Sequence, residues 1–421
     1  MTKKPLAYGL AAGLAATLSL APTAAFAASA DASSADAATP ASAATASTQN
    51  SVQARIDALL AKSSLSPELK ARIHAAAATL PANWATTVAA KQKQYGLTGT
   101  TFYEQSQSLI NPDDYQCQST SLRDWLTAEM SDVDFINLLL LSLLGGDQIP
   151  TYDALLFGQQ SKANTFGIDG SYTNELNREM TNLKRFWDFD GSDIQLIPMH
   201  GKVYQDLDRI THVYEVLYGM DHATALSYAE LVQDIVLSDP GMAGGENPYF
   251  TFNAFAFDPT PEDAAEFNLT KRIIVGDGIL QGTRGIGLGD KAAPLGILAH
   301  EYGHQVQYAK NLFDSPFTGP EATRRIELMA DAFGTYFVVH ARGSSLNAQR
   351  TLDVQKSFYN VGDCSFGSNG HHGTPNQRLK SSQFAVNLIE DAPNQGHKLP
   401  ALVFDARFEK ALPSIVAPDA S

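Results

Sequence analysis

Apolar residues recur at helical spacing through the first half of the chain. Segments 51–62 and 66–80 place apolar side chains three and four positions apart, and the second begins with Ser-Pro, a common helix start. Residues 132–146 contain a short apolar run that stops at a glycine pair. A run of this length predicts a buried core helix and not a membrane span. We therefore expect residues 51–240 to form a helical lobe, whose role the sequence does not reveal.

The pattern changes in the second half of the chain. The aromatic, alternating residues 249–257 and the apolar residues 271–280 each predict a strand. The glycine-rich stretch 281–294 predicts a loop that leads into a helix containing residues 298–307. A second helix is predicted at 321–342, before an irregular segment.

These elements predict an α+β fold that is predominantly α. It comprises the helical N-terminal lobe and a core at residues 241–390, which holds a small β-sheet and two long helices. Residues 391–421 are interpreted as a C-terminal tail.

The N-terminus has the composition of a secretory signal at residues 1–27. Lys3 and Lys4 precede an apolar stretch, and Ala25-Phe26-Ala27 is typical of a cleavage site. An uncleaved membrane anchor is the alternative, but the stretch is short and rich in Gly and Ala for a span. Residues 28–50 lack aromatic residues and predict a disordered tether. We expect an exported protein, secreted or periplasmic, with no stable membrane insertion after cleavage.

The net charge bears on which partners the protein can bind, and the cysteine content on which kinds of site it can contain. The formal net charge is −15, which disfavours binding to nucleic acid and to anionic lipid. The two cysteines, Cys117 and Cys364, are too few for a disulfide scaffold or a cysteine-built zinc site. They could pair in an oxidising compartment, but sequence alone leaves that pairing open.

The stretch "LAHEYGHQVQ", residues 298–307, carries the strongest chemical signal. His300 and His304 lie four positions apart, so on a helix their imidazoles share one face and can bind one cation. Glu301 lies about 100° further round the helix, where a carboxylate can take a proton from zinc-bound water. The pattern predicts a zinc hydrolase, although two unrelated histidines on an ordinary helix would give the same spacing.

A catalytic zinc requires a third protein ligand, and the next predicted helix offers one. Glu327 and Asp331 are four positions apart and share a face, among apolar and small neighbours that argue against a solvated acidic pair. We expect Glu327 to bind zinc and Asp331 to accept the second ring N–H of a ligand histidine.

The motifs "HEYGHQVQ" and "ELMADAFG" together resemble those of the gluzincin metallopeptidases, whose third ligand is the glutamate of a downstream E-x-x-x-D helix. They are especially similar to the bacterial neutral zinc metallopeptidases and the HtpX-like zinc endopeptidases. The late loop "HHGTPNQRLKSS", with His372 six positions before Arg378, resembles theirs, as does "NAFAF", which begins at Asn253. The resemblance covers about residues 247–385.

The resemblance implies a zincin-like catalytic core with one catalytic Zn²⁺ and two metal-bearing helices. Glu301 would be the base, and His372 a second catalytic residue that stabilises the oxyanion. His371, Arg378 and Asn253 are further candidates for oxyanion or substrate contacts. The strand at 249–257 could hold an extended peptide at the sheet edge, or could be an ordinary core strand.

The sequence therefore predicts an exported zinc-dependent metallopeptidase acting on a protein or peptide. One alternative is a non-catalytic exported binding protein with a structural zinc, which intact Glu301 disfavours because such a site has no use for a base. The other is a zinc amidase that acts on cell-wall peptides.

Overall fold

The structure is a computed structural model that describes residues 52–81, 83–95, 112–288, 292–366, 370–394 and 396–420. These residues form a predominantly helical α+β fold with a three-stranded sheet, which confirms the predicted fold class. The expected signal and tether, residues 1–50, lie outside the described residues. Within the described ranges, no helix combines the length and apolar character that crossing a membrane requires.

The first half of the chain is mostly helical, as its periodicity predicts. The Ser-Pro start is confirmed, because Ser66 caps a helix by accepting a hydrogen bond from the Leu69 N–H. The described helices of this half are 52–60 (α1), Pro67–Ala77 (α2), Trp84–Gln94 (α3), Ser121–Glu129 (α4), Phe135–Leu143 (α5), Ile149–Leu156 (α6), Thr173–Phe186 (α7), Leu207–Tyr218 (α8) and His222–Ser238 (α9).

The apolar helix α5 ends before the glycine pair, as predicted. The carbonyls at a helix end lack intrahelical donors, and here buried aromatic side chains supply them. Trp84 Nε1 donates to the Leu143 carbonyl at 2.9 Å, and the Tyr214 hydroxyl donates to the Leu144 carbonyl at 2.8 Å. These contacts let an apolar helix terminate inside the core.

The sheet joins the two halves of the chain. Its strands are Gln195–Met199 (β1), Ala254–Phe257 (β2) and Arg272–Gly276 (β3), in the order β1-β3-β2. Strand β1 runs parallel to β3, and β2 runs antiparallel to it. Strand β1 was not predicted, since five residues with an internal proline among helices give no periodic signal. The boundary predicted near residue 240 thus falls between strands of one sheet.

Both predicted strands are shorter than expected. Residues Pro248–Thr251 form a 3-10 turn, and β2 covers only the four buried residues Ala254–Phe257. Strand β3 ends at Gly276, where a Cβ atom would lie 2.0 Å from the Thr251 carbonyl oxygen. The chain turns there into helix Asp277–Gly285 (α11), which takes up the first five residues of the expected glycine-rich loop, 281–285. Buried Ile279 and Leu280 stabilise this helix.

Long helices complete the second half of the chain. They are Pro261–Phe267 (α10), Ala292–Lys310 (α12), Pro320–Val339 (α13), Ala348–Val361 (α14), Pro375–Glu390 (α15) and Ala401–Ile415 (α16). Helix α16 corrects the interpretation of 391–421 as a tail, because Phe404 and Phe408 are fully buried. The Phe404 ring stacks on Phe333 with 4.7 Å between centroids, so α16 packs against α13.

Cys117 and Cys364 form a disulfide, which answers the question that the sequence leaves open. Their Cα atoms are 5.7 Å apart, and 247 positions separate them along the chain. The bond ties the segment before α4 to the loop between α14 and α15.

Replacing both cysteines with serine is expected to lower the free energy of unfolding by about 2–4 kcal/mol, because the cross-link restricts the unfolded chain. Denaturant unfolding followed by circular dichroism measures this change. Reduced wild-type protein is the matched comparison and should behave like the double variant. An unchanged unfolding midpoint in both samples would contradict the prediction.

Candidate metal centre

The two helices that carry the predicted ligands approach each other closely because each has a glycine at the crossing. A Cβ atom on Gly334 of α13 would lie 2.8 Å from the backbone nitrogen of His300. A Cβ atom on Gly303 of α12 would lie 3.0 Å from the Ala330 carbonyl oxygen. A larger residue at either position would force the helices apart and separate Glu327 from the histidines.

Helix α12 is also fixed to the sheet. Gln305, the residue after His304, donates hydrogen bonds from Nε2 to the carbonyl oxygens of Phe257 and Arg272, at 3.2 Å and 3.1 Å. These residues belong to β2 and β3. The amide therefore sets the position of the metal helix along the strands.

His300, His304 and Glu327 converge at one point. The two Nε2 atoms are 3.2 Å apart, and they lie 3.4 Å and 3.5 Å from the oxygens of Glu327. Four ligands at tetrahedral angles, about 2.0–2.1 Å from a zinc ion, would be about 3.3–3.4 Å apart. The group could hold a metal ion, and its spacing and donor types fit one.

All three side chains are fully buried. Burial lowers the pKa of His304 and outweighs the opposing charge of Glu327, so this imidazole stays neutral, as a ligand must be. Burial alone would raise the pKa of Glu327, but the nearby His304 and His300 outweigh it and hold the pKa low. Glu327 is thus held as a carboxylate, the form in which it can bind a metal ion.

Asp331 orients His300 from the other side of the ring. His300 Nδ1 lies 2.8 Å from Asp331 Oδ1, so the ring donates there and keeps Nε2 toward the ligand group. Arg378 donates to the same carboxylate from Nε at 2.7 Å and from Nη2 at 2.6 Å. Asp331 therefore occupies the position that the sequence predicts. Arg378 lies on the Nδ1 side of His300, and an oxyanion or substrate contact from it stays a prediction.

Gln307 orients His304 in the corresponding way, and this residue was not predicted from the sequence. Gln307 Oε1 lies 2.7 Å from His304 Nδ1, and Gln307 Nε2 donates to the Ile326 carbonyl at 2.8 Å. The second bond fixes the amide so that its oxygen faces the ring, which leaves His304 Nε2 as the unprotonated nitrogen. The three-residue spacing from His304 on one helix face was a signal that could have identified it.

Glu301 is also fully buried, directly after His300 on α12. Its negative charge contributes to raising the pKa of His300. Burial opposes that rise, but hydrogen bonds with Asp331 and Glu327 and the charges of Asp331 and Glu301 outweigh it. The carboxylate expected to serve as a base thus lies close enough to interact electrostatically with the ligand group.

In the loop between α14 and α15, the carboxylate of Asp363 orients two buried histidines, His371 and His372. Asp363 accepts a hydrogen bond from His371 Nδ1 at 2.7 Å and from His372 Nδ1 at 2.8 Å. It also accepts the His372 backbone N–H at 2.9 Å. Neither Nε2 atom has a hydrogen-bond partner in the described part of the chain. Asp363 had no spacing signal in the sequence, because it belongs to an irregular loop.

His372 interacts electrostatically with Glu327, which places it near the ligand group. Burial lowers the pKa of His372, but the Asp363 hydrogen bond and the charges of Glu327 and Asp363 outweigh it and raise the pKa. This environment favours a protonated ring whose Nε2–H is available as a donor.

Asn253 directly precedes β2. Its backbone carbonyl accepts a hydrogen bond from the Gly276 N–H at 2.9 Å. Its side-chain oxygen is buried and has no partner among the residues that the structure describes. It makes no hydrogen bond with the three ligand residues, so a substrate contact from Asn253 stays a prediction.

Comparison of the chain with protein-family models, with curated proteins and with solved structures finds no match. The chemistry of this site therefore rests on the residues and distances described above.

Replacing Gln307 with leucine is expected to weaken Zn²⁺ affinity roughly 10–100-fold, because His304 loses the acceptor that fixes its tautomer. A competition titration against a chelator measures this change. The matched control is Gln349→Leu, at an exposed glutamine on α14, and its affinity should be that of the wild type. Equal affinities for both variants would show that Gln307 does not orient His304.

Proposed function

We propose that this chain is a zinc-dependent peptidase of the gluzincin type that hydrolyses peptide bonds. The observation that carries the proposal is the convergence of His300, His304 and Glu327 at tetrahedral spacing, with Glu301 next to the first ligand. Three protein ligands leave one position for water or substrate, as in catalytic zinc sites.

The side chains around the ligands have distinct parts in this mechanism. When bound, zinc supplies a Lewis acid that polarises the scissile carbonyl and makes water more acidic. Glu301 accepts the proton of the attacking water and passes it to the leaving amine. His372, held at Nδ1 by Asp363, donates from Nε2 to the oxyanion that develops on the substrate. Asp331 and Gln307 keep both ligand histidines in the required tautomer.

Burial of the ligand group bears on how substrate reaches it. His300, Glu301, His304 and Glu327 are all fully buried, so the proposed reaction requires surrounding segments to move apart before a peptide binds. This burial is also what a structural zinc would show. Structural sites, however, usually fill all four positions with protein ligands, and the described residues provide three.

The decisive variant is Glu301→Gln, which removes the base and keeps the size of the side chain. Turnover of a fluorogenic peptide or casein is expected to fall roughly 10²–10⁴-fold, while elemental analysis still finds one zinc per chain. Glu262→Gln, at an exposed position on α10, is the matched control and should retain full activity.

Each remaining outcome selects an alternative. Wild-type turnover by Glu301→Gln would reject Glu301 as the base. One equivalent of zinc with no hydrolysis of any peptide would favour the exported binding protein with a structural ion. Cleavage confined to cell-wall peptides would favour the amidase.

A further inference from the structure

A polar cavity lies away from the ligand group, at the amino ends of the parallel strands β1 and β3. Its volume is about 450 Å³, and it lies between the end of α6, the segment before β3 and the first residue of β1. Among the described residues that line it, Arg272 is the only charged one. The other polar residues that line it are Gln159, Gln160, Gln195, Asn268 and Thr270.

Arg272 is a buried cation without a carboxylate partner. The residue is 2% exposed, and it forms no ion pair with the described residues. Burial lowers the pKa of the guanidinium to about 10, which shows how strongly its surroundings disfavour the charge. A buried, unpaired charge is costly, and proteins usually neutralise it with a counter-ion.

Backbone carbonyls satisfy only part of the guanidinium. Nε donates to the Thr270 carbonyl at 3.1 Å, and Nη1 donates to the carbonyls of Leu155 and Gly158 at 2.6 Å and 3.2 Å. The contact with Leu155 places a cation at the C-terminal end of α6, which is itself stabilising. This structural role leaves the two N–H groups of Nη2 without a partner among the described residues.

Two glutamines add donors with a fixed orientation. Gln160 Oε1 accepts the Leu196 N–H at 3.1 Å, and Gln195 Oε1 accepts the Gln160 N–H at 3.0 Å. Each amide oxygen is therefore committed to the backbone. The two NH₂ groups make no hydrogen bond with the described residues, so they remain available for a ligand.

We propose that this cavity binds a small oxyanion, a carboxylate or phosphate group, through Arg272 and the amides of Gln160 and Gln195. A guanidinium edge with nearby amide donors matches such an anion in charge and in hydrogen-bonding pattern. No acidic residue is among the described residues that line the cavity, although the whole chain carries a net charge of −15. The inference is independent of the peptidase proposal.

The test is to add a competing carboxylate at the rim. Thr270 is exposed and lies two positions before Arg272, on the same side of an extended chain. In Thr270→Glu the new side chain can pair with Nη2, whereas Thr270→Gln has the same size without the charge. Calorimetric titration of the full chain with inorganic phosphate and with succinate, at constant ionic strength in chloride, tests both sources of oxyanion.

We expect one equivalent of phosphate or succinate to bind the wild type and Thr270→Gln alike. Binding to Thr270→Glu should be weaker by at least about tenfold, the scale of one lost charged hydrogen bond. The probe that binds, phosphate or succinate, shows whether the site prefers a phosphate or a carboxylate group. Binding of neither probe would overturn the proposal, and so would binding that is equally strong in Thr270→Glu, because such an anion would occupy another site, including the metal centre.

Discussion

The close crossing of α12 and α13 is the constraint on which the metal centre depends. The ligands come from two helices separated by a loop, and Glu327 reaches the histidines only because glycines occupy the contact from both sides. Neither glycine is needed for a turn there. Both allow backbone to pack on backbone, so a larger residue at either position would crowd the opposite helix.

A second set of side chains determines which imidazole nitrogen of each histidine faces the ligand group. An imidazole can present either nitrogen to a ligand, and its tautomer depends on what the other nitrogen contacts. Asp331 fixes the tautomer of His300, and Gln307 fixes that of His304. Arg378 in turn holds Asp331, and the Ile326 carbonyl holds Gln307. The ligand histidines are thus preorganised by residues that are themselves held by hydrogen bonds, consistent with the complete burial of the site.

The sequence predicts the parts of this protein that follow a regular period. Helical spacing identifies α1, α2, α5 and the ligand helices α12 and α13. The four-residue spacings of His300–His304 and Glu327–Asp331 identify side chains that the structure brings together. Strand β1 and residue Asp363 could not be found this way. A five-residue strand has no distinctive period, and a loop carboxylate acquires its partners only through tertiary folding. The tail assigned to 391–421 failed because α16 is stabilised chiefly by the aromatic rings it buries, a tertiary contact.

The charges of the ligand group give an independent reason to expect a cation. Arg378 is the buried guanidinium that pairs with Asp331, whereas Glu327 faces two histidines. With both histidines neutral, as metal ligands must be, the ligand group has the negative charge of Glu327 in a fully buried position, where a charge is costly unless it is paired or binds a metal. A metal ion bound by His300, His304 and Glu327 places a positive charge against that carboxylate, so electrostatics and ligand geometry both favour a bound cation.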